Sequence, residues 1–242
     1  MATEKKLTRG ISSDFANAFK KCELFNLYQE HKDELIIGIH NNYLNLYYNC
    51  DSIAKVKHNG KKITCEIDRY YLEGNHYKGK SKRKKTTSSK IREKYDTIKI
   101  NSDRAVKEKL EQSKDEEKAR SKTNEKKAQS KLVILNNQNS NSAWYCLDIE
   151  WKKAFKSQAE RDKEKFNGRF DIIAISTECP HKVALIELKY GSGAIGGKSG
   201  IYKHVEDFHK FKEKNYFETM KLEITEIIKC QKMLGMAIPE KL

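Results

Sequence analysis

Three short apolar segments in the second half of the chain constrain the fold more than any other feature. They read WYCLDIEW (144–151), GRFDIIAIS (168–176) and KVALIELKYG (182–191). Each is shorter than an ordinary helix and rich in β-branched or aromatic residues, which favours strands. The second and third are close enough to form a hairpin, and helical spacing of apolar residues follows over 199–211. We therefore predict a three-stranded unit followed by a helix.

Charged residues within these apolar segments are the second constraint. Asp171 directly precedes Ile-Ile-Ala-Ile, and Glu187 and Lys189 lie two residues apart in the middle of the third segment. Because side chains alternate along a strand, Glu187 and Lys189 are expected on one face. Burying these charges is costly unless a metal ion, a partner charge or water compensates them, so they indicate a functional site. A structural ion pair, or an exposed edge where both charges contact water, is the alternative.

The N-terminal half has a different pattern. Residues 11–31 carry apolar side chains at helical spacing after Ser12, which can cap a helix N-terminus. Four strand-like segments follow, with turns predicted at the Asn-Asn pair 41–42 and the Asn-Gly pair 59–60, since these residues accept positive φ. We predict a small antiparallel sheet with one helix, forming an α+β module of unknown role over residues 1–100.

A helix with a largely solvated surface is predicted for residues 102–131, which are rich in Lys, Glu, Ala and Gln. Apolar residues return at 132–135, so the end of this helix should pack on the second domain. We place that domain over residues 101–242.

Net charge suggests the partner. The chain carries 49 Lys and Arg against 34 Asp and Glu, a formal net charge of +15. Cations that neutralise phosphates release condensed counterions, so nucleic acid is the expected partner; a lysine-rich composition without a binding role is the alternative. The basic run in residues 77–90 is predicted to be a flexible loop or linker. Within it, Lys82, Arg83, Lys84 and Lys85 are candidates for phosphate contacts.

Cysteine spacing and hydropathy exclude other classes. The six cysteines are scattered, without a C-x-x-C pair or a His at zinc-finger spacing, so we expect no structural zinc site. No stretch approaches eighteen apolar residues, and the first residues lack the apolar core of a signal peptide. We expect a reduced, cytoplasmic protein with no membrane partner.

The combination of Asp171 with Glu187-Leu188-Lys189 after a hairpin resembles the D…ExK signature of the PD-(D/E)XK nuclease superfamily. The resemblance covers about residues 115–215. It implies an α/β fold in which a mixed central sheet with flanking helices forms a restriction-endonuclease-like core. Two features depart from the pattern, because Phe170 stands where these enzymes often have Pro, and a fourth core strand after the helix is not evident.

The resemblance also implies a catalytic role for Asp171, Glu187 and Lys189. The two carboxylates, with the backbone carbonyl of Leu188, would bind Mg²⁺ or Mn²⁺, and Lys189 would orient the attacking water. Glu150 is the first choice for an additional metal ligand, with a solvent-facing acid as the alternative.

Residues outside the signature have weaker assignments. Glu125 on the long helix matches an acid that some of these nucleases carry, although a solvated helix face explains it better. Lys203 or His204 on the following helix are candidates to reach the metal site, and Lys198 and Lys203 are candidate phosphate contacts. Ile201, Val205, Phe208 and Phe211 are expected to form the buried stripe of that helix.

The resemblance implies a nuclease acting on DNA more than RNA, in bacterial restriction or phage defence, with a homodimer left open. A catalytically idle nucleic-acid-binding protein is the alternative. An NTPase is a third reading, because Gly197-Lys198-Ser199 follows a strand. The phosphate-loop spacing fails, however, since Ser192 stands where GxxxxGK[ST] requires Gly.

From the charge alone we predict that the protein binds duplex DNA with an affinity that falls steeply between low and physiological salt. Replacing Lys82, Arg83, Lys84 and Lys85 together with Ala should flatten the dependence of log Kd on log salt concentration, measured by fluorescence anisotropy. An unchanged slope would remove this run from the binding surface.

Overall fold

The computed structural model describes residues 9–74, 83–111, 116–153, 155, 157–164, 168–189 and 200–242. Within these residues the strands are β1 (Leu35–His40), β2 (Tyr43–Tyr48), β3 (Asp51–His58), β4 (Ile63–Asp68), β5 (Arg83–Thr86), β6 (Trp144–Lys152), β7 (Arg169–Ser176) and β8 (Val183–Ile186). The helices are α1 (Ser13–Lys20), α2 (Glu23–Glu30), α3 (Arg69–Glu73), α4 (Ser88–Glu93), α5 (Tyr95–Glu111), α6 (Glu116–Gln138), α7 (Gln158–Glu164), α8 (Ile201–Glu213) and α9 (Tyr216–Met233).

The first sheet has five antiparallel strands in the order β1-β2-β3-β4-β5. Both predicted turns are confirmed, with Asn42 at φ 55° between β1 and β2, and Gly60 at φ 85° between β3 and β4. These left-handed conformations explain why Asn and Gly occupy the turns. The predicted four-stranded antiparallel unit is therefore present, with β5 added at its edge.

The basic run differs from its prediction. Residues Arg83–Thr86 form β5, which pairs with β4 through Cys65↔Thr86, Glu66↔Lys85, Ile67↔Lys84 and Asp68↔Arg83. The prediction of a flexible loop is wrong for these residues. The strand could not be predicted from the sequence, because an edge strand with exposed Lys and Arg has no apolar pattern of its own. Lys82 lies outside the described residues.

One predicted helix is divided in two. Residues 11–31 form α1 and α2, which are separated near Cys22, the N-cap of α2. Ser12 caps α1 as expected, since the Phe15 backbone N–H donates to Ser12 Oγ at 3.2 Å. The long helix predicted over 102–131 corresponds to α5 and α6.

The second sheet has three antiparallel strands in the order β6-β7-β8. This differs from the predicted mixed sheet, because every strand pairing in the described part of the chain is antiparallel. The β7–β8 connection, residues 177–182, is too short for the crossover that a parallel pair needs. The α/β class is confirmed.

Helices cover both faces of the second sheet. Ile172 and Ala174 of β7 pack in a cluster with Val133 of α6. The alternate residues Ile173 and Ile175 belong to the larger apolar core, which also contains Phe211 of α8. The order α6-β6-β7-β8-α8 therefore gives a sheet between two helices.

The larger core is shared by residues on both sides of the predicted division at residue 100. Phe15 and Leu24 of the first helices belong to the same cluster as Trp151, Phe170 and Phe211. A polar contact also crosses this division, since the Ile11 backbone N–H donates to Cys230 Sγ of α9 at 3.4 Å. No helix in the described part of the chain is long and apolar enough to cross a bilayer.

Aromatic packing around Phe211 should dominate the stability of this junction. Its ring is fully buried and makes edge contacts with Phe170 at 5.2 Å and Phe217 at 4.9 Å between centroids. We expect Phe211→Ala to lower the free energy of unfolding by about 3–5 kcal/mol in chemical denaturation. Val205→Ala, on the same helix but 46% exposed, is the control and should cost less than about 1 kcal/mol. Equal losses in the two variants would contradict this packing.

Candidate active site

Hydrogen bonds hold both the carboxylate and the backbone carbonyl of Asp171. It is the third residue of β7 and is 7% exposed. Its Oδ2 accepts a hydrogen bond from the Leu188 backbone N–H at 2.8 Å, and its carbonyl accepts one from Gln129 Nε2 of α6 at 2.6 Å. The carboxylate is thus fixed at the end of the β7–β8 hairpin with one oxygen already engaged.

Glu187 and Lys189 follow β8 directly, whereas they were predicted in the middle of a strand. β8 ends at Ile186, which pairs with Ile172 of β7. The Asp171 side chain takes the Leu188 N–H, which gives a physical reason for the early end of the ladder. If the β7–β8 register continued by one pair, Asp171 would lie opposite Glu187. The structure therefore brings these two carboxyl groups side by side.

The Glu187 carboxyl group is buried, with a side chain only 6% exposed. Its Oε1 lies 2.8 Å from Lys189 Nζ and 3.1 Å from His204 Nε2. Burial, together with the nearby charge of Asp171, raises the pKa of Glu187 to about 7 against the opposing effects of Lys189 and Arg169. Additional positive charge at this position would therefore be favourable.

Lys189 lies between two carboxylates. Besides Glu187, its Nζ is 3.9 Å from Glu125 Oε1 on α6, and its side chain is 17% exposed. The preferred reading of Glu125 as part of a solvated helix face is therefore incomplete, because the residue reaches the edge of this site. Two acidic side chains, from the end of β8 and from α6, thus flank one ammonium group.

Helix α8 faces the sheet differently from the prediction. Val205, expected in the buried stripe, is 46% exposed, whereas Asp207 is 4% exposed. His204 reaches Glu187, and the buried carboxylate of Asp207 lies 3.5 Å from Lys203 Nζ. The apolar periodicity did not predict this orientation, because His204 and Asp207, two polar residues with partners, take the place of apolar residues on the inner face of α8.

Glu150 and Asp148 have different partners. Glu150 lies between the pairs Ile149↔Ile172 and Trp151↔Phe170, and its φ of 53° interrupts the regular alternation of β6. Its carboxylate forms an ion pair with Arg169.

Asp148 is buried inside the protein, where its Oδ2 lies 3.3 Å from Arg9 Nε. Burial raises its pKa to about 6. β6 therefore does not keep the regular alternation that would place Asp148 and Glu150 on one face. A role for Glu150 as a metal ligand stays a prediction.

The remaining candidates are dispersed. Lys198 and the glycine-rich loop around it lie outside the described residues. Lys203 is 3.0 Å from Glu206 on its own helix. Within the part of the chain that the structure describes, no group of three or more His, Cys, Asp or Glu side chains is arranged to hold a metal ion.

Two contributors to the site were missed in the sequence. Gln129 fixes the Asp171 backbone, and Arg169 binds Glu150 and acts on the pKa of Glu187. Arg169 had a usable signal, since it is a second charged residue in an apolar strand, two positions before Asp171. Gln129 had none, because it lies in the polar part of α6, before the apolar residues 132–135.

Comparisons of the chain with protein-family models, curated proteins and solved structures found no match. Membership of the PD-(D/E)XK superfamily thus stays a prediction that rests on the residues themselves. The geometry around Asp171, Glu187 and Lys189 is the basis for a functional proposal.

The raised pKa of Glu187 predicts a pH dependence of stability. The folded protein binds this proton more tightly than the unfolded chain, so the stabilisation is complete below the ordinary pKa of 4.5 and is lost as the pH rises to about 7. Relative to Glu187→Gln, the parent should lose up to about 3 kcal/mol of unfolding free energy across that range. Chemical denaturation at several pH values measures this, with Glu213→Gln on α8 as an exposed control. Parallel profiles for parent and Glu187→Gln would contradict the burial of this carboxyl group.

Proposed function

We propose that this chain is a metal-dependent nuclease that hydrolyses phosphodiester bonds, in DNA more than RNA. The observation that carries the proposal is the juxtaposition of Asp171 on β7 with Glu187 directly after β8, with Lys189 Nζ 2.8 Å from Glu187 Oε1. We further propose a restriction or phage-defence role in the cytoplasm, in keeping with six free cysteines.

The fold around the site supports a restriction-endonuclease-like core. A hairpin carries the two acids, and α6 and α8 pack on opposite faces of the sheet. Each helix also sends a polar side chain to the site, Gln129 from α6 and His204 from α8.

The available ligand atoms suit Mg²⁺ or Mn²⁺. Asp171 and Glu187 present hard carboxylate oxygens, and both side chains are largely shielded from bulk water. Asp171 Oδ2 and Glu187 Oε1 have protein donors, and the other oxygen of each carboxyl group has none among the described residues, so it would be the one to face a cation. Leu188 would add its carbonyl. When bound, such an ion supplies charge neutralisation on the phosphate and activation of water.

The side chains then have distinct roles. Lys189, positioned by Glu187 and Glu125, offsets negative charge that develops on the phosphate and orients the attacking water. His204 holds the Glu187 carboxyl group at 3.1 Å, and Gln129 fixes the backbone of Asp171. Both are positioning residues, because they act through the acids.

A catalytically idle nucleic-acid-binding protein is the second candidate. It is favoured by one observation, that Glu187 Oε1 is shared by two cationic or polar partners, Lys189 and His204. Such a pairing would stabilise the carboxyl group without any metal. Stabilisation by Mg²⁺ separates the two candidates, because a ligand that binds only the folded state raises Tm.

The nuclease proposal predicts different behaviour for the three central residues. Asp171→Asn and Glu187→Gln should each lower cleavage by at least ~100-fold and abolish the rise in Tm with Mg²⁺, because each removes a charged ligand at nearly constant volume. Lys189→Ala should keep the Tm rise while the rate falls by a similar factor. Asp14→Asn, on the exposed face of α1, is the control and should match the parent.

Cleavage is measured on circular, linear and single-stranded DNA and on RNA, with Mg²⁺, Mn²⁺ or EDTA. Cleavage by all three variants at the parental rate would refute the assignment to these residues. Binding of nucleic acid without metal-dependent cleavage by the parent would favour the idle protein.

A further inference from the structure

One face of the five-stranded sheet collects cations that are separated in the sequence. On β3, Val56 is fully buried, so Lys55 and Lys57 point to the opposite face. The register pairs Lys55 with Glu66 and Glu66 with Lys85, in one row across three strands. Arg83 lies two residues from Lys85 on β5 and shares its face. We call Lys55, Lys57, Arg83 and Lys85 the basic face.

Lys84 is excluded from this face. It pairs with Ile67, a fully buried residue of β4, and therefore points the other way. Its Nζ lies 2.9 Å from Oε1 of Glu73, the last residue of α3. The basic run of the sequence is thus divided by strand alternation, and adjacent lysines lie on opposite faces of the sheet.

Cations outnumber acids on the basic face. Its four positive charges are accompanied by Glu66 and Asp68. Glu66 is engaged by Lys57 at 2.8 Å, and Asp68 also caps α3 by accepting from the Tyr70 N–H at 3.0 Å. The pKa of Lys55 is lowered, first by burial and then by the charges of Lys57 and Arg83. These cations are close enough to repel one another, and an anion would relieve that repulsion.

The aromatic group on this face is not available for base stacking. Tyr43 of β2 stacks on His40 of β1, with ring centroids 4.6 Å apart and an interplanar angle of 11°. Lys55 of β3 places its Nζ 3.8 Å from the Tyr43 ring centroid. The ring is thus flanked by partners on both neighbouring strands. Recognition here would depend on charge, not on bases.

We propose that the basic face binds the phosphodiester backbone of duplex DNA, independently of sequence. The identity of the ligand rests on the proposed nuclease function, whereas the surface itself rests on register and charge. Each phosphate contact releases condensed counterions, so the contribution of each lysine can be counted from the salt dependence of binding.

The test compares two double variants with the same net charge. Lys55→Gln with Lys85→Gln removes two cations of the basic face. Lys62→Gln with Lys84→Gln removes one from the exposed β3–β4 turn and one from the opposite face. Anisotropy of a short fluorescent duplex of mixed sequence is measured in EDTA over a range of salt, and thermal unfolding confirms that each variant is folded.

We expect the basic-face variant to reduce the slope of log Kobs against log salt by roughly 2, at about 0.9 per lost contact, with at least ~10-fold weaker binding at low salt. The control variant should bind within about twofold of the parent. Equal changes in both variants, or no binding by the parent, would overturn the proposal. Because EDTA prevents metal-dependent cleavage, the binding measurement does not depend on the outcome of the nuclease test.

Discussion

The hydrogen bond from the Leu188 N–H to Asp171 Oδ2 is the constraint on which the candidate site depends. A backbone donor that would otherwise continue the β7–β8 ladder is satisfied by a side chain instead, so the ladder ends and no buried N–H is left unpaired. Glu187 and Lys189 then leave the strand geometry, and both turn toward α6 and α8, where Glu125 and His204 meet them. One local interaction therefore ends a strand and gathers charges from three elements.

The first sheet supports this arrangement through α6. At the β2–β3 turn, Asn49 and Cys50 both have positive φ, at 47° and 61°, and Cys50 Sγ contacts the Lys126 carbonyl of α6 at 3.3 Å. Lys126 Nζ also binds Asp51 at 2.7 Å. Lys126 lies one residue from Glu125 and three from Gln129, both of which reach the site. The β2–β3 turn therefore holds α6 in place, and α6 in turn holds the backbone of Asp171 through Gln129. The contacts with α6 also compensate the strain at this turn.

The sequence predicted those features of the fold that depend on a few neighbouring residues. The turns at Asn42 and Gly60, the N-cap at Ser12 and the β7–β8 hairpin each follow from residue preferences over a few positions. β5 and the orientation of α8 were missed, because both depend on long-range pairing: β5 exists through its register with β4, and α8 turns Asp207 inward beside Lys203. The three central site residues could be selected because charges inside apolar segments are costly. Gln129 could not, because a glutamine in a polar helix carries no such cost.

Charge balance links the geometry to the proposed chemistry. Glu187 and Glu125 flank Lys189, and the charge of Asp171 acts on Glu187, so these four groups carry three negative charges and one positive charge when they are ionised. Arg169 acts on Glu187 but is already paired with Glu150. Burial, together with this excess of negative charge, raises the pKa of Glu187 to about 7, so that near neutral pH a bound proton can neutralise the carboxylate. A divalent ion would remove the same excess without that proton. If the chain is the proposed nuclease, a metal ion and a proton compete for the Glu187 carboxyl group. Ionisation of this group lowers the stability of the folded protein as the pH rises, and a bound metal ion would offset that loss.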